Sequence, residues 1–512
     1  MSKKIFIALL VSFSFSIAYG QKLNFEVKGL KDTTVFLAKY LGPKLYYADT
    51  TTTVKGKFSF DGTKHPRGLY AVVLPGVKWF EFINDNEDVD MTIGDQADMI
   101  NSMKVNKGAN NKAFYEYILF MTDKKQRGSK ANEEYKNAGD DEAAKKAAMD
   151  KIKAIGKETT AGQKKFYEAN KERFIGTMVR MSMDVELPEP PKDKDGNITD
   201  SNYVYNYYIE HYWDDIDFKD PAIVRTPVYH NKLDKYFSQQ GLIQIPDSIT
   251  KYAKILCDKM EYGSLENQVF QYTVHHITQK YEASKIMGMD KVFLFMADNY
   301  YCEPNNHAWW MNEENTEKLC GRADDIRRTI IGGPSPMLIL PDSTEKNWIN
   351  SYKIDADYTV LYFWDPNCGH CKKTTPKLEH LYKEKFKERN IEIYAVGKAT
   401  GEDFEAWKKY IRDNDLTFIN VGLTDGIYKQ AMEDPRPLLQ YTTLQSLNYT
   451  DTYDIYSTPR IFVLDKDKVI KFKQLSIGQL EEILDNLTGH SDDPKLYPKE
   501  DPENGNNPDD EH

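Results

Sequence analysis

Apolar and polar positions change their period twice along this chain. Over residues 21–105 the apolar residues come in short alternating stretches: Phe25-Glu26-Val27, Thr34-Val35-Phe36-Leu37-Ala38, Lys57-Phe58-Ser59-Phe60, Leu69-Tyr70-Ala71-Val72-Val73-Leu74 and Phe80-Glu81-Phe82-Ile83. Turns rich in Gly and Asp, such as Asp61-Gly62, separate them. A period of two sends alternate side chains to opposite faces, so this stretch predicts an antiparallel β domain, a sandwich or small barrel. Over 106–330 the apolar residues recur at three and four positions, notably within 142–171, which predicts a mainly helical domain. A Pro-rich loop at 188–196 interrupts it. The aromatic run at 203–213, with Tyr205, Tyr207, Tyr208, Tyr212 and Trp213, reads as core and helix-packing surface.

From 331 to 490 strand and helix patterns alternate. A strand at 358–364 leads into a turn holding Cys368 and Cys371, then a helix over 371–388 and a strand at 391–396. A helix at 403–413, a strand near 418–421, a strand at 460–464, a hairpin turn, a strand at 469–473 and a helix at 477–487 follow. That order predicts an α/β layered domain closed by a hairpin and a helix. Residues 491–512, rich in Pro, Asp, Glu and Asn, predict a disordered acidic tail. The fold class is therefore multidomain: an N-terminal antiparallel β domain, a central mainly α region and a C-terminal α/β domain.

The 512 residues leave room for about three domains, and 40% apolar with 29% charged residues is an ordinary globular balance. A net charge of -11 offers no broad basic surface, so no nucleic-acid partner is expected. The first residues change the picture more. Lys3-Lys4, an apolar run over 5–18 and Ala18-Tyr19-Gly20 have the pattern of a secretory signal peptide over 1–20, cleaved after Gly20. The run falls short of the roughly 20 residues that span a bilayer, so the mature chain is expected to have no membrane span. Its expected location is exported, in the periplasm of a Gram-negative bacterium.

Five cysteines are too few for a disulfide scaffold. Cys368 and Cys371 fall at a strand-to-helix turn. A thiolate there meets the unpaired N–H groups and positive end of the helix, which lowers its pKa from about 8.5 to roughly 3.5–7.5. Cys368, at the helix start, is the candidate nucleophile. A zinc site would need a second ligand pair that Cys302, His307 and Cys320 do not supply, and c-type haem attachment needs His where Lys372 stands. No metal and no organic cofactor is expected. Cys302 and Cys320 are candidates for a structural disulfide, which would leave Cys257 free and buried. Adjacent His275 and His276 point apart on a helix and read as ordinary histidines. Asn197-Ile198-Thr199 and Asn448-Tyr449-Thr450 match the glycosylation pattern, which is common by chance.

The run Phe363-Trp364-Asp365-Pro366-Asn367-Cys368-Gly369-His370-Cys371-Lys372-Lys373, with Pro376 and the downstream Ser457-Thr458-Pro459-Arg460-Ile461-Phe462-Val463-Leu464-Asp465, resembles a thioredoxin domain of the exported TlpA-like group. The resemblance covers roughly residues 333–489. It implies a thiol-disulfide oxidoreductase in which Cys368 attacks a substrate disulfide, Cys371 resolves the mixed disulfide, and Cys368–Cys371 is the redox-active disulfide. It implies that Thr458-Pro459 is the cis-proline pair opposite the cysteines, with the Thr458 backbone open to a substrate strand. His370, with Gly369 and Trp364, would tune the potential. The Gly-His pair resembles that of protein disulfide isomerases, at about -180 mV against about -270 mV for thioredoxin, so isomerase or oxidase activity stands beside reduction. The implied partners are disulfide- or thiol-containing exported proteins and a redox partner protein. The two upstream regions resemble domains of unassigned function that precede thioredoxin domains in envelope proteins. Two positions depart from the pattern: Tyr362 stands where thioredoxins bury an Asp, and Thr374 where some exported relatives carry a Glu. A water or Glu379 remains as proton acceptor for Cys371. The alternative is a non-catalytic binding or scaffold protein of the envelope that keeps the thioredoxin shape.

Overall fold

Alternation in β1 (Lys22–Val27) turns Leu23, Phe25 and Val27 inward, all at most 3% exposed. The same rule builds β2 (Thr34–Leu41), β3 (Lys44–Thr52), β4 (Lys57–Asp61), β5 (Gly68–Leu74), β6 (Lys78–Asn84), β7 (Val89–Ile93) and β8 (Met103–Lys107). They form two sheets, ordered β4-β1-β7-β8 and β3-β2-β5-β6. The ring of Phe25 lies 4.9 Å from Phe82 and 5.4 Å from Phe80, both on the other sheet, so the two sheets enclose one aromatic core. Pairing is antiparallel except between β1 and β7, which run parallel.

A computed structural model describes residues 21–260, 267–284, 286–401 and 403–498, so the signal peptide expected over 1–20 lies outside the described residues. These fall into two compact units, one of residues 21–244 and 255–273, the other of 245–254 and 274–498. The stretch 106–330, expected as one helical domain, is accordingly divided between them. Helix Ala109–Asn137 docks on β6 of the first unit, where Asn111 accepts from the Ile83 N–H at 2.7 Å and donates to the Ile83 carbonyl at 2.8 Å. Helix Glu142–Asn170 runs beside it, capped by the Asp141 carboxylate on the Ala143 and Ala144 N–H groups. The aromatic run packs as expected, with Tyr212 and Trp213 buried against Tyr236 at 4.8 and 5.1 Å.

In the second unit, helices Asp290–Tyr300 and Glu313–Arg327 pack through Phe293, Leu294, Ala297, Ala323 and Ile326. A disulfide between Cys302 and Cys320, with Cα atoms 5.8 Å apart, ties them, and Cys257 is a buried thiol. After the short hairpin β9 (Ile339–Pro341) and β10 (Trp348–Asn350) comes a five-stranded sheet. It is built of β11 (Tyr358–Trp364), β12 (Ile391–Gly397), β13 (Ile419–Val421), β14 (Arg460–Asp465) and β15 (Ile470–Lys473), in the order β13-β12-β11-β14-β15. The first three are parallel, and the last two are antiparallel to their neighbours. Side chains of β11 fill cores on both faces: Val360, Tyr362 and Trp364 on one, Leu361 and Phe363 on the other. That is why the strand reads as one apolar run. The helix expected over 371–388 is Gly369–Leu381, continued by a wide turn Tyr382–Phe386 and a tight turn Lys387–Arg389, and Asn390 (φ 55) ends it in the left-handed region.

The tail expected to be disordered from 491 is packed as far as it is described. Helix Ile477–Leu487 buries Glu481 and Asp485 completely, and these carboxylates need partners. The segment supplies them. Glu481 accepts the N–H groups of Leu496 and Tyr497, each at 2.7 Å, and Asp485 pairs with Lys495 at 2.6 Å. Gly478 leaves the room needed, since a Cβ there would stand 2.5 Å from the Tyr497 carbonyl oxygen. Residues 499–512 lie outside the described residues.

Candidate active site

Cys368 is the N-cap of helix Gly369–Leu381, directly after β11. Its own N–H donates to the Asp365 carbonyl at 3.2 Å, and its carbonyl accepts from the Lys372 N–H at 3.0 Å. The Asp365 N–H in turn points at Cys371 Sγ, 3.5 Å away. One turn of chain thus fixes both sulfurs. Each is a thiol: Cys368 is half-buried, while Cys371 is 1% exposed in the core with Tyr362, Trp364 and Ile461. Thr458-Pro459 is a cis peptide, and the Thr458 carbonyl accepts from Cys368 Sγ at 3.4 Å across 90 residues of sequence. The structure therefore brings Cys368, Cys371, Thr458 and Pro459 together.

The two sulfurs differ electrostatically. Partial burial works to raise the Cys368 thiol, but the Cys371 N–H and thiol and the His370 N–H are directed at it and hold it below its ordinary range. Burial pushes Cys371 up to about 11. A helix N-terminus favours a thiolate only for the sulfur that reaches its free N–H groups, and that sulfur is Cys368.

The surrounding residues divide. Tyr362 is fully buried beneath the pair, its hydroxyl 2.7 Å from Thr375 Oγ1, so the place of an acid is filled by a closed neutral hydrogen bond. Trp364 is buried on the same face, stacked near-parallel on Tyr362 and 5.2 Å from Tyr410. Glu379 is turned away as an acceptor for Cys371: its carboxylate takes the Thr417 N–H at 3.0 Å and hydroxyl at 2.6 Å and pairs with Lys383 at 3.1 Å. Thr374 is half-buried. Gly369 and His370 are exposed, and a Cβ at Gly369 would meet nothing within 4 Å.

A polar cluster that sequence reasoning missed flanks the turn. Asp365 Oδ1 accepts the Asn367 N–H at 2.7 Å, Lys398 lies 3.4 Å from Asp365 and 3.0 Å from Asp403, and Asn367 donates to Asp403 at 2.6 Å. Asp365 was visible within the motif. Lys398 reaches it only because β12 lies in parallel register with β11, Gly397 opposite Trp364, which no local pattern reveals. Among the described residues no group of three or more His, Cys, Asp and Glu is placed to hold a metal ion.

Residues 355–470 match a family model described as thioredoxin-like. The C-terminal region is a thioredoxin-like domain. Ahead of it, residues 22–135 and 142–329 match two models described as domains of unknown function, DUF4369 and DUF5106. A thioredoxin-like protein of Haemophilus influenzae is 24% identical over 147 residues, 28% of this chain and 71% of that protein. A solved domain of a possible thiol-disulfide isomerase from Cytophaga hutchinsonii is 32% identical, with 31% of this chain and 94% of that chain covered and a TM-score of 0.25. A solved thioredoxin-like protein from Bacteroides caccae is 17% identical, with 59% and 98% covered and a TM-score of 0.42. The thioredoxin-like domain thus carries the thiol pair and follows two domains to which no function is attached.

Proposed function

We propose that this chain is an exported thiol-disulfide oxidoreductase that exchanges disulfides with protein substrates through Cys368-Gly369-His370-Cys371. The observation that carries this reading is the unequal pair: a half-buried thiol held below its ordinary pKa at a helix N-terminus, three residues before a buried one pushed up to about 11. The Cys368 thiolate attacks a substrate disulfide, forming one S–S bond and breaking another, and the departing substrate sulfur takes up a proton. Cys371 then loses its proton and attacks Cys368 Sγ, which releases the second substrate thiol and leaves Cys368–Cys371 oxidised. A redox partner protein of dithiol or disulfide chemistry supplies or removes the two electrons. The Thr458 backbone, beside Cys368, pairs with the substrate strand. His370, Gly369 and Trp364 tune the couple, and no metal or organic cofactor takes part.

Export rests on the N-terminal signal pattern and on the Cys302–Cys320 disulfide, which suits an oxidising compartment such as the periplasm of a Gram-negative bacterium. Among the described residues no helix is long and apolar enough to cross a membrane. One observation favours the second reading, a non-catalytic thioredoxin-fold binding or scaffold protein: Tyr362 replaces an acid, and Glu379 is engaged by Thr417 and Lys383. Two variants decide between them. Cys368→Ser abolishes exchange with an insulin-type protein disulfide and Cys371→Ser accumulates mixed disulfides on non-reducing gels; variants that exchange as the parent does would overturn the assignment to this pair, and a parent without exchange leaves the scaffold reading.

A further inference from the structure

Ahead of the sheet, helix Glu313–Arg327 sends one side chain to the loop that ends at Pro459. Arg322 Nε donates to Glu282 at 3.1 Å and Nη1 to Asp454 at 3.0 Å. Its guanidinium lies 5.1 Å from the ring of Tyr456. Arg322 sits two positions after Cys320, whose disulfide to Cys302 anchors that helix. Tyr456 is 75% exposed and stands two positions before Thr458, the residue in contact with Cys368 Sγ. A large aromatic ring left in solvent is ordinarily mobile, and immobilising it on binding costs entropy. Here a guanidinium held by two carboxylates braces it from one side while the rest stays open.

We propose that Tyr456 is a specificity-determining contact for polypeptide substrates and that Arg322 is its positioning residue. The helical region preceding the thioredoxin-like domain thereby helps select the substrate. This rests on the exchange reading given above. The substrate class is an extended polypeptide with an apolar or aromatic residue near its cysteine. Tyr456 stands two residues from Thr458, and two residues of chain span at most about 7 Å, so a residue near the substrate cysteine comes within reach of its ring. A tyrosine ring contributes large contact area at low entropic cost and accepts aliphatic and aromatic partners alike. Lysine would not replace Arg322, because it lacks the planar group that stacks on a ring while bonding two carboxylates.

The test uses the full mature chain with three disulfides of one chemistry: hydroxyethyl disulfide, and the glutathione mixed disulfides of a Leu-flanked and a Gly-flanked cysteine peptide. The parent prefers the Leu-flanked peptide. In Tyr456→Ala and Arg322→Ala that preference falls by about fivefold, through KM and with kcat largely kept, and Arg322→Lys rescues it only in part. Tyr456→Ala alters an exposed ring, so it guards against misfolding as an explanation. An unaltered preference in both alanine variants overturns the proposal, as does an equal fall on all three substrates, which would mean general damage. A parent that exchanges none of the three overturns instead the exchange reading beneath it.

Discussion

Two sulfurs three residues apart have different pH windows. Cys368, held below its ordinary range, forms its thiolate at lower pH than a free cysteine, while Cys371 stays protonated until pH approaches about 11. Alkylation by iodoacetamide followed by mass spectrometry should therefore label Cys368 first and alone near neutral pH. In the mixed disulfide, resolution by Cys371 should speed up with pH through the range below 11, about tenfold per unit, because each unit multiplies the thiolate fraction tenfold. A lifetime independent of pH from 7 to 10 would contradict that assignment. Tyr362→Phe removes a buried hydroxyl from Thr375 Oγ1 and should cost about 1–2 kcal/mol in a urea titration while exchange persists. The thiols were legible because their chemistry is local. Glu379 misled because it lies two turns along the helix from Cys371, whereas its partner Thr417 comes from the loop before β13.

The strands with an alternating or continuous apolar pattern were legible, β1, β4, β11 and β12 among them. β3 was not: its residues 44–47 are all exposed, so no burial alternation marks it, and pairing with β2 alone defines it. The short helices Leu444–Leu447 and Tyr449–Thr452 escaped notice because four residues carry no period. The tail failed for a different reason. Polar composition points to the lack of a core, yet the partners that buried Glu481 and Asp485 require are polar. Ending the chain after residue 490 should therefore lower stability by several kcal/mol, leaving two buried carboxylates with only Lys385 and Arg389. A lowered thermal midpoint in the truncated chain, set against the full mature chain, is the expected result. An unchanged midpoint would mean these contacts contribute little.

At the scale of the whole chain, the sequence pattern separated sheet, helix and α/β regions. It could not show that helices from one continuous helical pattern divide between two compact units, since periodicity says which face is buried and not against what. The cysteine inventory offers a check at this scale. With Cys302 and Cys320 joined, fully oxidised protein should show one thiol on unfolding, gentle reduction three, and exhaustive reduction all five. Five thiols under gentle reduction would deny the structural role of that bridge.

Equilibrium redox titration of Cys368 and Cys371 in the mature protein, against glutathione or dithiothreitol with alkylation and mass shift, bears on the proposed exchange before anything else. A single two-electron transition between about -270 and -180 mV, lost in Cys368→Ser, is the predicted result. A pair that does not cycle, or a disulfide that resists reduction throughout, would contradict it and leave a thioredoxin-like domain that binds without exchanging.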